Sequence, residues 1–445
     1  MNKIILRRWL LVLLTFLYCS GNLFAQTKWT ITDPDNLNFI ITTEINANEL
    51  TGKTRENALK DYVGGLKYRL AKLATSLKYP EIVRFSGTFT DEQQTTFSGT
   101  YDYLFNHYNC TGKITGDSIS IVLLNQKNKR IKELKGFKNK TGLAAVNYKE
   151  QVQQILQLTA KNLYDPEFTT TRKWKDFKEI MTANANRMTD DLEIQTGFQA
   201  IAQNFPFTHY YLLKTPKEER KAKNFILTAI NKETCVLKIK AFEGSRDKID
   251  YLLDSISGKG YVNLIIDLRN NAGGTNETAL PLMEFISEKP ITGGIFPNQS
   301  WYQKFGRSPS VTEYNLFNEF TEGTLAEFYK KAENGYGVYI KSIPAARNFK
   351  GKVYVLTNQY TASTSEVVAL ALKENHLAVL AGKKTAGAVL SGKRFEISET
   401  LNLFIPVNDY ISYGGYRIDR QGIEPDIALK TDDELNELLK RIEKN

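Results

Sequence analysis

The sequence predicts an α/β fold: a core with a mostly parallel central sheet and flanking helices, preceded by a helical segment and a small N-terminal β-rich domain. Apolar runs of strand length recur in the second half as VLKIKAF (236–242), VNLIIDL (262–268), KVYVLTN (352–358), LAVLAG (377–382) and LNLFIPV (401–407). Helical stretches separate them: SRDKIDYLLDSIS (245–257), ETALPLMEFISE (277–288) and SEVVALALKEN (365–375). Continuous apolar strands between helices mark a sheet buried on both faces, hence a largely parallel one. Earlier in the chain, FSGTFTDEQQTTFSGTYDYLFNHYNCTGKITGDSISIVLL (85–124) alternates apolar and polar residues between Gly, Asp and Asn turns, as short antiparallel strands do.

Taken in order, residues 1–25 have the layout of a secretory signal peptide. Lys3, Arg7 and Arg8 precede an apolar run from Trp9 to Cys19, followed by small or polar residues and Ala25. Tyr18 is bulky where lipoprotein cleavage has a small residue, so Cys19 is not taken as a lipid anchor. Residues 26–140 form the β-rich accessory domain, with one helix expected in TRENALKDYVGGLKYRLAKLATSL (54–77). In 141–220, QVQQILQLTAKNLY (151–164) and the run 173–202 have helical spacing and lead into the core at 221–430. Within the core, residues 288–349 interrupt the alternation with an aromatic insertion, expected to be a lid or substrate-shaping loop. The tail 431–445 is an amphipathic helix, with Thr431 and Glu434 at capping-box spacing.

Composition excludes several functions. The formal charge of +10 belongs to bases scattered among acids, which makes a solvated basic surface and not a nucleic-acid groove. His107, His209 and His376 are the only histidines, too few for a multi-histidine metal site, and no metal or cofactor is expected. No segment after the leader approaches the roughly 20 apolar residues of a membrane helix, so an integral membrane protein is not expected. Cys110 and Cys235 could pair in an oxidising compartment or remain two buried thiols.

Three segments can carry chemistry. In NLIIDLRNNAGGTNETALPLM (263–283) a strand ends at Asp267, and Gly273 and Gly274 permit a turn whose amides face outward, ready for a developing negative charge. The plain alternative is a strand-to-helix turn that needs glycine for its backbone angles. In GKVYVLTNQYTASTSEVVALALKEN (351–375), Ser363 lies where a helix begins after a buried strand, exposed at the sheet edge. Ser363 and Glu366 also have capping-box spacing, so the hydroxyl could instead cap the helix. In NFPFTHYYLL (204–213), His209 is a candidate base among aromatics, where packing alone is the competing role.

The order IIDLRNNAGG, VLTNQYTASTSEVVALALKEN, AVLAGKKTAGA and GIEPDI resembles the tail-specific, or C-terminal processing, serine proteases, including the branch similar to the tricorn protease core. The resemblance implies a crotonase-like or ClpP-like core with Ser363 as nucleophile, and an oxyanion hole made by Gly273 or Gly274 with Thr364. In the processing branch a lysine twenty-five residues after the serine is the base; here that position is Ala388. Lys383, Lys384 and Lys393 are near in sequence but none holds it. The tricorn-like branch implies a histidine before the core, matched by His209, and an acid before the closing motif, matched by Asp419. Asp419 is one methylene shorter than the glutamate of that branch, which leaves its link to the histidine direct, water-mediated or lost. No peptide-binding PDZ module of the processing branch is recognisable.

The resemblance thus implies an exported serine-type peptidase, periplasmic or at the cell surface, acting on peptides or unfolded polypeptides without nucleic-acid partner, metal or cofactor. A homo-oligomer is left open. Two other functions compete: a catalytically inactive peptide- or glycan-binding protein that reuses the fold, and a structural module whose β-domain mediates assembly.

Overall fold

The structure is a computed structural model that describes residues 26–34, 37–139, 146–215 and 223–444; the leader expected over 1–25 lies outside the described residues. The chain divides into two compact units, Met1–Val152 with Ile180–Ile201, and Gln153–Glu179 with Ala202–Asn445.

The first unit is built on a closed antiparallel barrel of β1 (Thr27–Thr32), β2 (Phe39–Asn46), β3 (Glu49–Lys53), β4 (Val83–Phe89), β5 (Thr96–Tyr103), β6 (Asn106–Thr115), β7 (Ser118–Leu124) and β8 (Arg130–Lys138). Helices α1 (Ala58–Val63) and α2 (Gly65–Ala74) connect β3 to β4, and the barrel closes where β8 meets β1, Trp29 opposite Lys138. Period-two alternation sends Phe39 and Ile41 of β2 inward, as it does Phe85, Phe97, Ile119 and Ile121 on their strands. The interior is filled by rings: Phe85 and Phe97 stack at 5.8 Å, and a Cβ on Gly52 or Gly112 would stand 2.0 or 2.1 Å from one of them.

Helices α3 (Tyr148–Asn162), α4 (Arg172–Ala185) and α5 (Asp191–Ala202) occupy the region expected as a single lead-in, but it is shared between the units. Charge chemistry explains why much of α5 belongs with the barrel unit. Glu193, buried, accepts from Arg55 at 2.7 Å and from the Tyr62 hydroxyl at 3.1 Å, while Arg55 also holds Asp61 at 2.6 Å.

The second unit begins, in its strands, with β9 (Tyr211–Lys214), β10 (Phe225–Ala229) and β11 (Thr234–Ile239), and continues through α6 (Arg246–Ser257), β12 (Asn263–Asp267), α7 (Asn276–Ile286) and β13 (Ile291–Pro297). Then come α8 (Gln299–Phe305), β14 (Asn318–Phe320), α9 (Leu325–Ala332), β15 (Gly337–Ser342), β16 (Lys352–Thr357), α10 (Thr364–Glu374) and β17 (Val379–Gly382). The unit ends with β18 (Ser391–Glu396), β19 (Leu401–Asn408), β20 (Ile427–Ala428) and α11 (Glu434–Ile442). A six-stranded sheet runs in the order β10-β11-β12-β16-β17-β20. Its pairings from β11 to β20 are parallel and β10 is antiparallel. Leu237, Leu264, Ile266 and Val355 on one face pack with the apolar sides of α6, α7 and α10, whereas Val236, Ile265, Tyr354 and Leu356 on the other meet Leu438 of α11. Burial on both faces is why these strands are continuous apolar runs.

Not every apolar run expected in the central sheet belongs to it, and the sheets of this unit taken together are mixed. LNLFIPV forms β19, which lies outside the six-stranded sheet in the antiparallel β18-β19-β9 sheet. The insertion at 288–349 is not a loop: β13, β15 and β14 make a sheet of their own, with Trp301, Tyr314 and Phe317 in a separate apolar cluster. The tail helix also starts later than its sequence suggests. Asp433 caps it, and Glu437 accepts the Lys430 and Thr431 amides at 3.0 and 3.1 Å. Glu434 instead turns inward, 3.2 Å from both Arg269 and Lys383.

Candidate active site

Strands β12 and β16 are parallel neighbours, Asp267 beside Leu356, so the segments that leave their carboxyl ends emerge side by side. In open α/β sheets that edge is where ligands bind. The two segments are tied together: Asn358 Oδ1 accepts the Asn270 amide at 3.0 Å, and the Ala362 amide donates to the Asn271 carbonyl at 2.9 Å.

Ser363 follows at the head of α10 with φ 59° and ψ −128°, a conformation that non-glycine residues rarely adopt. It is held from behind. The buried Glu366 carboxylate accepts the amides of Ser363 (3.2 Å), Gly387 (2.8 Å) and Ala388 (2.8 Å) and the Thr385 hydroxyl (2.5 Å). Ala388, at the position of the family's lysine, also accepts the Ser363 amide at 2.7 Å. Its neighbours in sequence are engaged elsewhere: Lys383 with Glu434, Lys384 with Glu424 and Lys393 with Glu333.

Gly273 and Gly274 have φ of 104° and 144°. A Cβ on Gly273 would stand 2.6 Å from Ser363 Cβ, and one on Gly274 would stand 2.2 Å from the Phe242 carbonyl oxygen, so neither position has room for a side chain. Their amides differ. That of Gly273 donates to Asn271 Oδ1 at 2.9 Å, whereas among the described residues the Gly274 and Thr364 amides have no protein acceptor. The Thr364 hydroxyl donates to the Gly274 carbonyl at 2.8 Å, fixing the two residues together.

His209 also carries a positive φ, 58°. Its segment is gripped by rings, with Phe205 and Phe207 packed on Phe168 at 4.7 and 4.8 Å, and by Arg420, whose guanidinium donates to the Phe205 and Phe207 carbonyls at 2.9 Å each. Burial lowers the imidazole pKa to about 4, so it is neutral near pH 7, with a ring nitrogen free to accept a proton. Asp419, buried, does not bond His209 directly. Its carboxylate accepts the Thr208 amide at 3.0 Å and the Thr208 hydroxyl, and that same hydroxyl is 2.9 Å from His209 Nδ1. Burial raises the Asp419 pKa, and the bonds from Thr208 oppose the rise.

Thr208 was missed from sequence. The signals were a hydroxyl residue adjacent to the histidine and an acid one methylene too short to reach it.

His209, Gly274, Ser363 and Thr364 line one cavity of ≈ 670 Å³. Phe296, Phe328, Tyr329 and Val367 give it an apolar wall, and Lys393 and Arg394 a basic margin. The other histidines lie elsewhere: His107 bridges Asp102 (2.5 Å) and the Ser76 carbonyl (2.8 Å), and His376 lines a separate surface pocket. Cys110 and Cys235 are free and buried, and burial pushes each thiol up to about 12. Among the described residues no group of His, Cys, Asp and Glu could hold a metal ion.

A serine at a helix head, a neutral imidazole in the same cavity and a buried carboxylate reached through a hydroxyl make an arrangement of the serine-hydrolase class. Residues 233–429 match the model of peptidase family S41. The carboxyl-terminal-processing protease of Synechocystis is 28% identical over 191 residues, 43% of this chain and 36% of the relative. The chloroplastic carboxyl-terminal-processing peptidase 3 of Arabidopsis thaliana is 38% identical over 200 residues, 45% of this chain and 32% of the relative. The chain thus spans about a third of the length of these curated relatives. Among solved structures, a photosystem II D1 C-terminal processing protease superposes with TM-score 0.42 and 12% identity, over 64% of this chain and 94% of its own.

Proposed function

We propose that the protein is a serine-type peptidase that hydrolyses peptide bonds of peptides or unfolded polypeptides through an acyl-enzyme on Ser363. The observation that carries this function is the Thr208 hydroxyl, placed to link His209 Nδ1 to Asp419 while His209 shares a cavity with Ser363. In the step proposed, His209 Nε2 takes the Ser363 proton as Oγ bonds to the scissile carbonyl carbon. Nδ1–H donates to Thr208 Oγ1, whose own proton is held by Asp419, so the carboxylate stabilises the imidazolium through one intervening hydroxyl. The amides of Gly274 and Thr364 donate to the oxyanion, a role the Gly273 amide is poorly placed for because Asn271 occupies it. Collapse of the adduct breaks the C–N bond and the amine leaves with the proton from His209; water, deprotonated by the same imidazole, then releases the acid.

The 221–430 region, completed by Thr208 and His209 from the segment before it, is the catalytic core in this proposal, the barrel an accessory domain, and the leader motivates export to the periplasm or cell surface. The test is reaction with a fluorophosphonate probe. Wild type is expected to be labelled, with Ser363→Ala unlabelled and His209→Ala slowed by more than about 10³-fold. A folded wild type that is never labelled would remove the activated serine and leave the inactive binding protein as the better account.

A further inference from the structure

Helix α2 presents its apolar face to water. Leu66, Leu70 and Leu73 are 72%, 57% and 85% exposed. At about 100° per residue they fall within an arc of about 60°, while Tyr68, the buried residue of this helix, points to the opposite side. The usual orientation of a surface helix, apolar side inward, is therefore reversed here. Lys67 stands on one side of the leucine stripe, Arg69 and Lys72 on the other, and the helix contains no acid. Beyond its C-terminus, the Ser76 hydroxyl donates to the Phe105 carbonyl at 2.8 Å, which places the β5–β6 turn and the half-exposed Phe105 ring beside the same end.

We propose that this face of α2, extended by Phe105, docks on an anionic lipid bilayer surface. The occupant follows from shape and charge. The three leucines form a short exposed apolar stripe, suited to insertion below lipid headgroups, and the flanking cations would then lie at the depth of the phosphates. Three bases without an acid complement an anionic layer, and each contributes attraction that salt screens. The proposal is independent of the chemistry assigned to Ser363.

The test uses the chain lacking only residues 1–25, whose own apolar run would bind lipid, in co-sedimentation with vesicles of phosphatidylglycerol and phosphatidylcholine and with phosphatidylcholine alone. Binding is expected to the anionic vesicles and to weaken as salt rises. A Leu66→Ser, Leu70→Ser, Leu73→Ser triple variant and a separate Lys67→Glu, Arg69→Glu, Lys72→Glu variant should each lose it by more than about tenfold, with unchanged far-UV circular dichroism. The charge-reversal variant keeps the test decisive if the serine variant does not fold. Absence of binding to anionic vesicles, or equal binding by a folded variant, overturns the proposal. So does a wild-type dimer that the serine variant converts to monomer without any vesicle binding, which would make the face a contact between copies.

Discussion

In the proposed mechanism, Thr208 turns a short acid into a workable one. Asp419 is too short for the place a glutamate would fill, and the hydroxyl supplies the missing reach while the Thr208 amide holds the second carboxylate oxygen. Thr208→Val keeps the shape but removes the link, so kcat is expected to fall on the order of tenfold or more, and Thr208→Ser should restore most of it. A purely structural role would instead make the serine variant as poor as the valine one. With His209 as the proposed base, the histidine sets the pH limit. Because burial holds the imidazole near 4, below the usual histidine range, the neutral base persists as pH falls through 6 and 5 and is lost only when pH passes about 4. The acid limb of kcat/KM, which reports the free enzyme, should therefore lie near 4; a limb near 6.5 would show an imidazole still open to water.

At the scale of elements, the site is a product of two parallel strand ends and the turns that follow them. Gly273 lets one turn approach the other to a distance no side chain allows. Gly273→Ala adds a methyl 2.6 Å from Ser363 Cβ at a φ of 104°, so the serine turn must shift. Probe reaction is expected to slow on the order of a hundredfold although Ser363, His209 and Asp419 all remain. The strand ends, the glycine turn and the serine at the helix head were legible because each is a local pattern a few residues long. The capping box read at Thr431 and Glu434 failed because Arg269 and Lys383 draw Glu434 inward, a competition that no local pattern contains. The insertion at 288–349 failed as a loop for a related reason: its strands are short and pair with one another, β13 with β15 and β15 with β14, across intervening helices.

For the molecule as a whole, the chain divides into two compact units, and a change inside the barrel tests whether they are separable in stability. Phe97→Ala empties part of a ring-filled barrel interior and is expected to cost about 3–5 kcal/mol, read as a lowered thermal transition, while the rate of probe labelling at Ser363 stays at the wild-type value. A proportional loss of labelling would mean that the catalytic unit depends on the barrel. Sequence alone determined the alternating strands and the buried apolar strands between helices, and it singled out Ser363, His209 and Asp419 as candidates, because periodicity and turn chemistry are written locally. Only the tertiary structure decided that the strands before residue 140 close into a barrel, that the Gly274 amide and not that of Gly273 is unengaged, and that the path from His209 to Asp419 runs through Thr208. These depend on groups brought together across long stretches of chain, Thr208 and Asp419 being 211 residues apart, and distance along the sequence carries no record of which hydroxyl will meet which carboxylate.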